Sequence, residues 1–188
     1  PFSNSANTTL TPTNNTDILV GAIRVLSADG GTAIGEAILA SVNMLFPDIR
    51  PDNQLIDLEN VSGIPPKLAG SHSTGVIILL TDGENSAGAD PIEAAHVAAR
   101  LGARVYTVGL GSDKPLDDGQ GTSTTGVDEK TLKEIASITG AKYWKATDAS
   151  TLDATYGDIA TQLKYEKGTQ EVTWMFALLG AIALLGTM

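Results

Sequence analysis

An unbroken apolar run, Val76 to Leu80, ends abruptly in Thr81-Asp82-Gly83 and constrains the fold more than any other stretch of this sequence. A short aliphatic and β-branched run bounded by turn residues is typical of a buried strand in a parallel sheet. In open α/β sheets, ligands bind at the carboxyl ends of the strands. Asp82 is therefore a candidate metal or ligand contact, and Gly83 lets the chain turn away. The alternative is that Asp82 only starts a turn or caps the next segment.

Helix and strand patterns alternate on both sides of this run. Apolar residues at helical spacing predict helices over 18–26 and from Thr32 to 45, the second ending at Phe46-Pro47. Asp90 and Asp128 are good N-cap residues for two further helices, which run to 101 and 138. The other predicted elements are strands over 105–110 and 141–146 and a last amphipathic helix over 152–163. The alternation predicts a doubly wound, Rossmann-like α/β fold with a mostly parallel sheet and helices on both faces.

Two polar segments and an apolar tail complete the predicted organisation. Residues 1–17 are rich in Ser, Thr and Asn and are predicted to form a loop. The long polar stretch 48–74 is predicted to be an insertion. Residues 172–188 carry no charge and approach the roughly 20 apolar residues of a spanning helix. They predict a truncated transmembrane helix behind a juxtamembrane linker at 164–171; the alternative is a buried core helix or an amphipathic tail.

Composition and spacing exclude several classes of function. The formal net charge of −10 argues against nucleic-acid binding and suits cations, basic partners or solubility. The sequence has no cysteine, which excludes disulfides, thiolate metal sites and a cysteine nucleophile. His72 and His96 form no paired-His or Ser-His-Asp arrangement. Gly109-Leu110-Gly111 opens no helix and lacks the third Gly of a dinucleotide loop. We therefore expect no catalytic and no nucleotide-binding residues, and a protein that is not an enzyme.

Three stretches together resemble the von Willebrand factor type A domain. GGTAIGEAI, residues 30–38, resembles that family's second metal-site motif, in which a loop Thr precedes a helix. IILLTDGEN, residues 77–85, resembles the third motif, whose strand-end Asp completes the site. VYTVGLGS, residues 105–112, matches the following strand and its Gly turn, and the resemblance continues through 127–163. It is strongest to bacterial membrane-anchored proteins of the Bat, or aerotolerance, type. The resemblance implies a partial domain of this family over 18–163.

One motif of the family is absent from this sequence. The first metal-site motif, Asp-x-Ser-x-Ser on the first strand, does not occur in the 188 residues. By analogy, we expect the first three strands and the first helix of the domain to lie before Pro1. The family's first strand pairs with the strand equivalent to 76–80. We therefore expect an open sheet edge there, which favours aggregation unless another segment covers it.

The resemblance implies a divalent cation, Mg²⁺ or else Mn²⁺ or Ca²⁺, in the complete domain. Such hard cations are held by hydroxyl, carboxylate and water oxygens. Thr32 and Asp82 are the two residues that carry over as metal ligands. The alternative role for Thr32 is the N-cap of the helix that follows it. An open coordination position on the cation would accept an acidic side chain from a protein partner.

The function implied by the resemblance is metal-dependent protein–protein interaction. The domain would be tethered to the bacterial cytoplasmic membrane by a single visible C-terminal anchor and would lie on the extracytoplasmic side. Other Bat-type proteins and a MoxR-type AAA+ ATPase are the implied partners, beside the lipid bilayer. The alternative is a subunit of an ATPase-coupled enzyme assembly such as a metal chelatase. The apolar tail disfavours that alternative, because those subunits are soluble.

Overall fold

The computed structural model describes residues 1–11, 13–26, 30–47, 75–111 and 127–166, the last five of them by backbone only. The chain divides into two compact units, Pro1–Leu152 and Asp153–Met188. The helices within the described ranges are α1 Thr16–Arg24, α2 Ile34–Leu45, α3 Pro91–Arg100, α4 Glu129–Ile138 and α5 Ala149–Glu166. The strands there are β1 Val76–Thr81, β2 Arg104–Leu110 and β3 Tyr143–Ala146.

The three strands form one parallel sheet in the order β1–β2–β3. Val76 lies opposite Arg104 and Thr81 opposite Gly109, while Thr107 lies opposite Tyr143. A helix follows β1 and another follows β2, so the chain returns to the same end of the sheet before each new strand. The predicted α/β fold with a parallel sheet is confirmed.

A single core lies between one face of the sheet and three helices. The residues at alternate positions of β1 and β2 that point to this face are Ile77, Leu79 and Val105. They pack with buried side chains of α2, α3 and α4, among them Ile38, Val42, Val97, Ala98, Leu132 and Ile135. The alternation along the strands follows from their period of two, and it fixes which face of the sheet each side chain occupies.

The outer edge of β1 is open within the described ranges, where the sheet contains no strand beyond β1 on that side. A cavity of about 570 Å³ runs along this edge and is lined by β1, α1, α2 and the segment 1–10. Ile78 is 38% exposed there, and Leu19 and Ile23 of α1 are 41% and 64% exposed. Within the described ranges, the edge therefore carries an apolar surface.

Local capping signals predicted two helix starts correctly. Asp90 accepts hydrogen bonds from the N–H groups of Ile92 and Glu93 at the start of α3. Asp128 accepts a hydrogen bond from the Thr131 N–H at the start of α4. Hydrogen bonds from the Thr131 hydroxyl and amide lower the pKa of the Asp128 carboxyl.

Three helix starts differ from the prediction. Helix α1 begins at Thr16, because the Asn15 side chain caps it, so the predicted loop 1–17 is slightly too long. Helix α5 begins at Ala149, because Asp148 Oδ1 accepts the Thr151 N–H at 2.8 Å. Helix α2 begins at Ile34 with Ala33 at the N-cap. The alternative role of Thr32 as that N-cap is therefore wrong.

Two predicted segments lie outside the described residues. They are the insertion at 48–74 and the transmembrane helix at 172–188, the latter with most of its linker. No helix among the residues that the structure describes is long and apolar enough to cross a membrane. The insertion and the anchor stay predictions.

Candidate functional site

The first element of the candidate site is the turn at the carboxyl end of β1. Thr81, the last residue of the strand, is buried, whereas Asp82 is exposed. The Thr81 hydroxyl accepts a long hydrogen bond of 3.4 Å from the Gly83 N–H. This places the Asp82 carboxylate in solvent immediately beyond the sheet, at the position where parallel sheets bind ligands.

The second element is the loop that leads into α2, and it contacts the first. A Cβ atom built on Gly83 would lie 3.2 Å from Thr32 Oγ1, so the Thr32 hydroxyl lies against the Asp82–Gly83 turn. A glycine at position 83 allows this close approach. The structure therefore places the Thr32 hydroxyl beside the turn that contains Asp82, although the two residues are distant in sequence.

Backbone and hydroxyl groups join the two loops reciprocally. The Thr32 N–H donates to Ser86 Oγ at 2.8 Å. In the other direction, the N–H groups of Ser86 and Ala87 donate to the Thr32 carbonyl at 2.9 and 3.2 Å. The backbone on both sides of the Thr32 side chain is thus bound to the loop that follows Asp82.

A second connection reaches the first turn of α2. The Ile34 N–H donates to Asn85 Oδ1 at 2.7 Å. Ala33, the N-cap residue of α2, makes no side-chain capping bond of its own. Asn85 therefore satisfies one of the N–H groups that a helix start leaves without an intrahelical partner.

The N-terminal segment packs beside these loops. The Asn4 side chain accepts the Gly31 N–H at 2.8 Å, directly before Thr32. The Glu36 carboxylate, in the first turn of α2, accepts the Ala6 N–H at 3.1 Å. The loop before α2 is thus held from both sides, by the segment 1–7 and by the segment 83–90.

The oxygen groups of the site suit a hard cation but supply only part of a coordination shell. Within the described ranges, neither the Thr32 hydroxyl nor the Asp82 carboxylate bonds to another side chain, and both remain available. No group of three or more His, Asp or Glu residues that could hold a metal exists in the same ranges. A hydroxyl and a carboxylate match the oxygen preference of Mg²⁺, which keeps several waters and uses one or two carboxylates.

The weaker sequence candidates lie elsewhere. Gly109 is paired with Lys145 inside the sheet, so it opens no phosphate-binding loop. His96 is exposed on α3, and His72 lies outside the described residues.

Sequence reasoning missed the residues that hold the site loops in place: Asn85 and Ser86 join the two loops, and Asn4 and Glu36 bind the N-terminal segment beside them. The bonds of Asn85 and Ser86 span 51 and 54 residues. Asn85 and Ser86 do follow the TDG turn directly, and polar side chains there are a signal for local turn bonds. Nothing in the sequence indicates that these two side chains reach the start of α2, which precedes β1 along the chain.

A model of one protein family matches most of the chain. The family is the von Willebrand factor type A domain, and the match covers residues 2–158. Similar curated proteins include a UPF0353 protein of Nocardia farcinica, 25% identical over 201 residues, which covers 97% of this chain and 55% of that protein. A UPF0353 protein of Mycolicibacterium paratuberculosis is 26% identical over 198 residues and covers 100% of this chain and 54% of that protein. The chain spans about half the length of these curated relatives.

Solved structures share the fold. The conserved hypothetical protein BatB from Bacteroides thetaiotaomicron superimposes with a TM-score of 0.57 at 23% identity, covering 87% of this chain and 77% of that chain. An aerotolerance-related membrane protein from Bacteroides fragilis superimposes with a TM-score of 0.56 at 21% identity, covering 87% and 76%. At these identities the likeness concerns the fold alone.

Proposed function

Because the chain belongs to the von Willebrand factor type A domain family, we propose that it is a non-enzymatic interaction domain that binds a protein partner through a divalent cation. Thr32 Oγ1 and the Asp82 carboxylate are the proposed ligands, and Mg²⁺ is the proposed cation, with Mn²⁺ or Ca²⁺ as substitutes. The single observation that carries the proposal is the contact between the Thr32 loop and the Asp82–Gly83 turn. The Thr32 hydroxyl and the turn that carries Asp82 meet there at the carboxyl end of β1, where both residues would serve as oxygen ligands.

The remaining ligands are proposed to come from outside these 188 residues. The Asp-x-Ser-x-Ser motif that this family contributes to the site does not occur in the sequence. Water would complete part of the shell, because Mg²⁺ dehydrates reluctantly. One coordination position would stay exchangeable, since Asp82 faces solvent at the edge of the domain.

An acidic side chain of a partner is the group that such a position would take. The chain carries a formal net charge of −10, so a carboxylate that approaches it without a cation is repelled. The cation reverses the local sign of the potential and supplies a bond with a defined direction. Thr32 and Asp82 would orient the cation, and the partner's carboxylate would replace a bound water.

The proposed setting is the bacterial cytoplasmic membrane. The uncharged run 172–188 is the proposed anchor, behind a linker at 164–171, and residues 18–163 are the proposed partial domain with an insertion at 48–74. Its fold neighbour from Bacteroides fragilis is a membrane protein related to aerotolerance. We propose other proteins of this family and a MoxR-type ATPase as partners, and an extracytoplasmic position for the domain.

The test is a titration of Mg²⁺ by calorimetry and of Mn²⁺ by electron paramagnetic resonance. Two samples are compared: this 188-residue chain and the full-length product of its gene. We expect one cation per molecule in the sample that contains the Asp-x-Ser-x-Ser motif, with a much weaker or undetectable affinity in this chain alone. Absence of saturable binding in both samples would overturn the metal-dependent mechanism.

A further inference from the structure

We propose that Asn85 and Ser86 are positioning residues of the cation site. They bind no cation themselves in this proposal; they hold the Thr32 loop against the Asp82–Gly83 turn. The inference rests on the proposed function, because it assigns a role in the assembly of the same site. It predicts that cation affinity depends on two side chains that belong to neither ligand.

The contribution of Ser86 follows from its reciprocal bonds with Thr32. Ser86 Oγ accepts the Thr32 N–H at 2.8 Å, and the Ser86 N–H donates to the Thr32 carbonyl at 2.9 Å. The two bonds fix the backbone of Thr32 on both sides of its Cα. A hydroxyl ligand on a fixed backbone loses less freedom when a cation binds, so a preassembled loop binds it more tightly.

The contribution of Asn85 follows from the missing cap of α2. Ala33 offers no side-chain acceptor, and the Ile34 N–H, two residues after Thr32, bonds instead to Asn85 Oδ1 at 2.7 Å. Asn85 lies three residues after Asp82. The bond therefore joins the start of α2, which follows Thr32, to the turn that follows Asp82.

The packing beneath these bonds leaves little room for the two loops to slide. A Cβ on Gly35 would collide with the carbonyl of Ala89, so the first turn of α2 lies directly on the loop backbone. That loop is fixed at its far end by Asp90, which caps α3. Outer groups that orient metal ligands commonly change affinity by roughly 10- to 100-fold when they are removed.

The experiment measures two quantities in the full-length product of the gene. The first is the exchange rate of the Ile34 and Thr32 amide protons by NMR, without cation. The second is the Mn²⁺ dissociation constant by electron paramagnetic resonance. The variants are Asn85→Ala and Ser86→Ala, with Asn85→Asp and Ser86→Thr as conservative variants that keep the acceptor oxygen. Asn14→Ala and Ser137→Ala, at exposed positions away from the site, are the matched controls.

We expect Asn85→Ala to speed exchange at Ile34, Ser86→Ala to speed it at Thr32, and each to weaken Mn²⁺ binding roughly 10- to 100-fold. Both conservative variants should restore amide exchange. Ser86→Thr should also restore Mn²⁺ affinity, whereas the added charge of Asn85→Asp should keep the affinity at or above that of the wild type. The controls should change neither quantity. If the wild-type protein binds Mn²⁺ and the alanine variants bind it equally well, the positioning role is wrong while the proposed function survives. If the wild-type protein binds no Mn²⁺, both proposals are overturned. If one alanine variant fails to fold, the other carries the test: faster amide exchange at its own position together with unchanged Mn²⁺ affinity overturns the positioning role.

Discussion

The amide of Ile34 donates a 2.7 Å hydrogen bond to the side-chain oxygen of Asn85, 51 residues further along the chain. The bond caps a helix that has no side-chain cap of its own. It also joins the two loops that carry Thr32 and Asp82. The candidate site is therefore an arrangement of two loops that are joined by a few polar bonds and by close backbone packing.

Replacing the proposed carboxylate ligand should remove cation binding and leave the fold intact. Asp82 is exposed, so Asp82→Ala should change the free energy of unfolding little. In the full-length product, Mn²⁺ affinity should fall by more than the roughly 100-fold that loss of an outer group causes. The control is Glu84→Ala, because Glu84 is an exposed carboxylate two residues away. Calorimetry compares the Mn²⁺ affinity of the two variants. Undiminished affinity in Asp82→Ala would defeat the assignment.

A methyl group at position 35 should destabilise the domain because it meets backbone. Gly35→Ala places a Cβ against the Ala89 carbonyl, and a backbone group cannot rotate aside as a side chain can. We expect a loss of about 1–3 kcal/mol in the free energy of unfolding, measured by urea denaturation. The matched control is Gly21→Ala, in the exposed helix α1 with nothing within 4 Å of the new atom. That change should stabilise the protein by about 0.5–1 kcal/mol through helix propensity. Equal effects of the two variants would contradict the close contact.

The carboxyl of Asp148 should titrate well below its ordinary range. Hydrogen bonds from Ser150, and then from the Thr151 amide and hydroxyl, lower the pKa of Asp148 from 3.8 to about 2. Because the folded pKa is lowered, this group stabilises the fold fully above pH 3.8, and its contribution disappears as the pH falls towards 2. A carboxyl carbon NMR titration should show the low midpoint. In Ser150→Ala the midpoint should rise towards the ordinary value; an unchanged midpoint would exclude Ser150 as the main cause.

The C-terminal run should hold this chain in membranes. Deleting residues 172–188 from the 188-residue chain should move it from the membrane fraction to the soluble fraction in a flotation assay. Leu179→Arg places a charge in the run and should weaken membrane retention, since a central Arg costs about 2.5–3.5 kcal/mol on insertion scales. Leu179→Ala is the control and should stay with the membranes. A deletion that remains in the membrane fraction would refute the anchor.

The sequence determined the elements whose signals are local. The apolar run 76–80 predicts a strand because a short aliphatic run bounded by turn residues is typical of a parallel sheet, although Ile78 is 38% exposed in the structure. Asp90 and Asp128 cap helices because a short acidic side chain reaches N–H groups two or three residues away. The alternation of helix and strand was enough to predict the parallel order, since parallel strands need a crossover between them.

Only the tertiary structure decided how the site is held together. Thr32 was expected to open a helix, but the helix begins at Ile34 because its cap comes from Asn85, after the strand. No local pattern at position 32 or 85 carries that information, since hydrogen bonds over 51 residues depend on where the whole sheet places the two loops. The sequence thus predicted which residues could bind a cation, and the fold decided which loops meet, because loop contacts depend on the packing of elements that lie far apart along the chain.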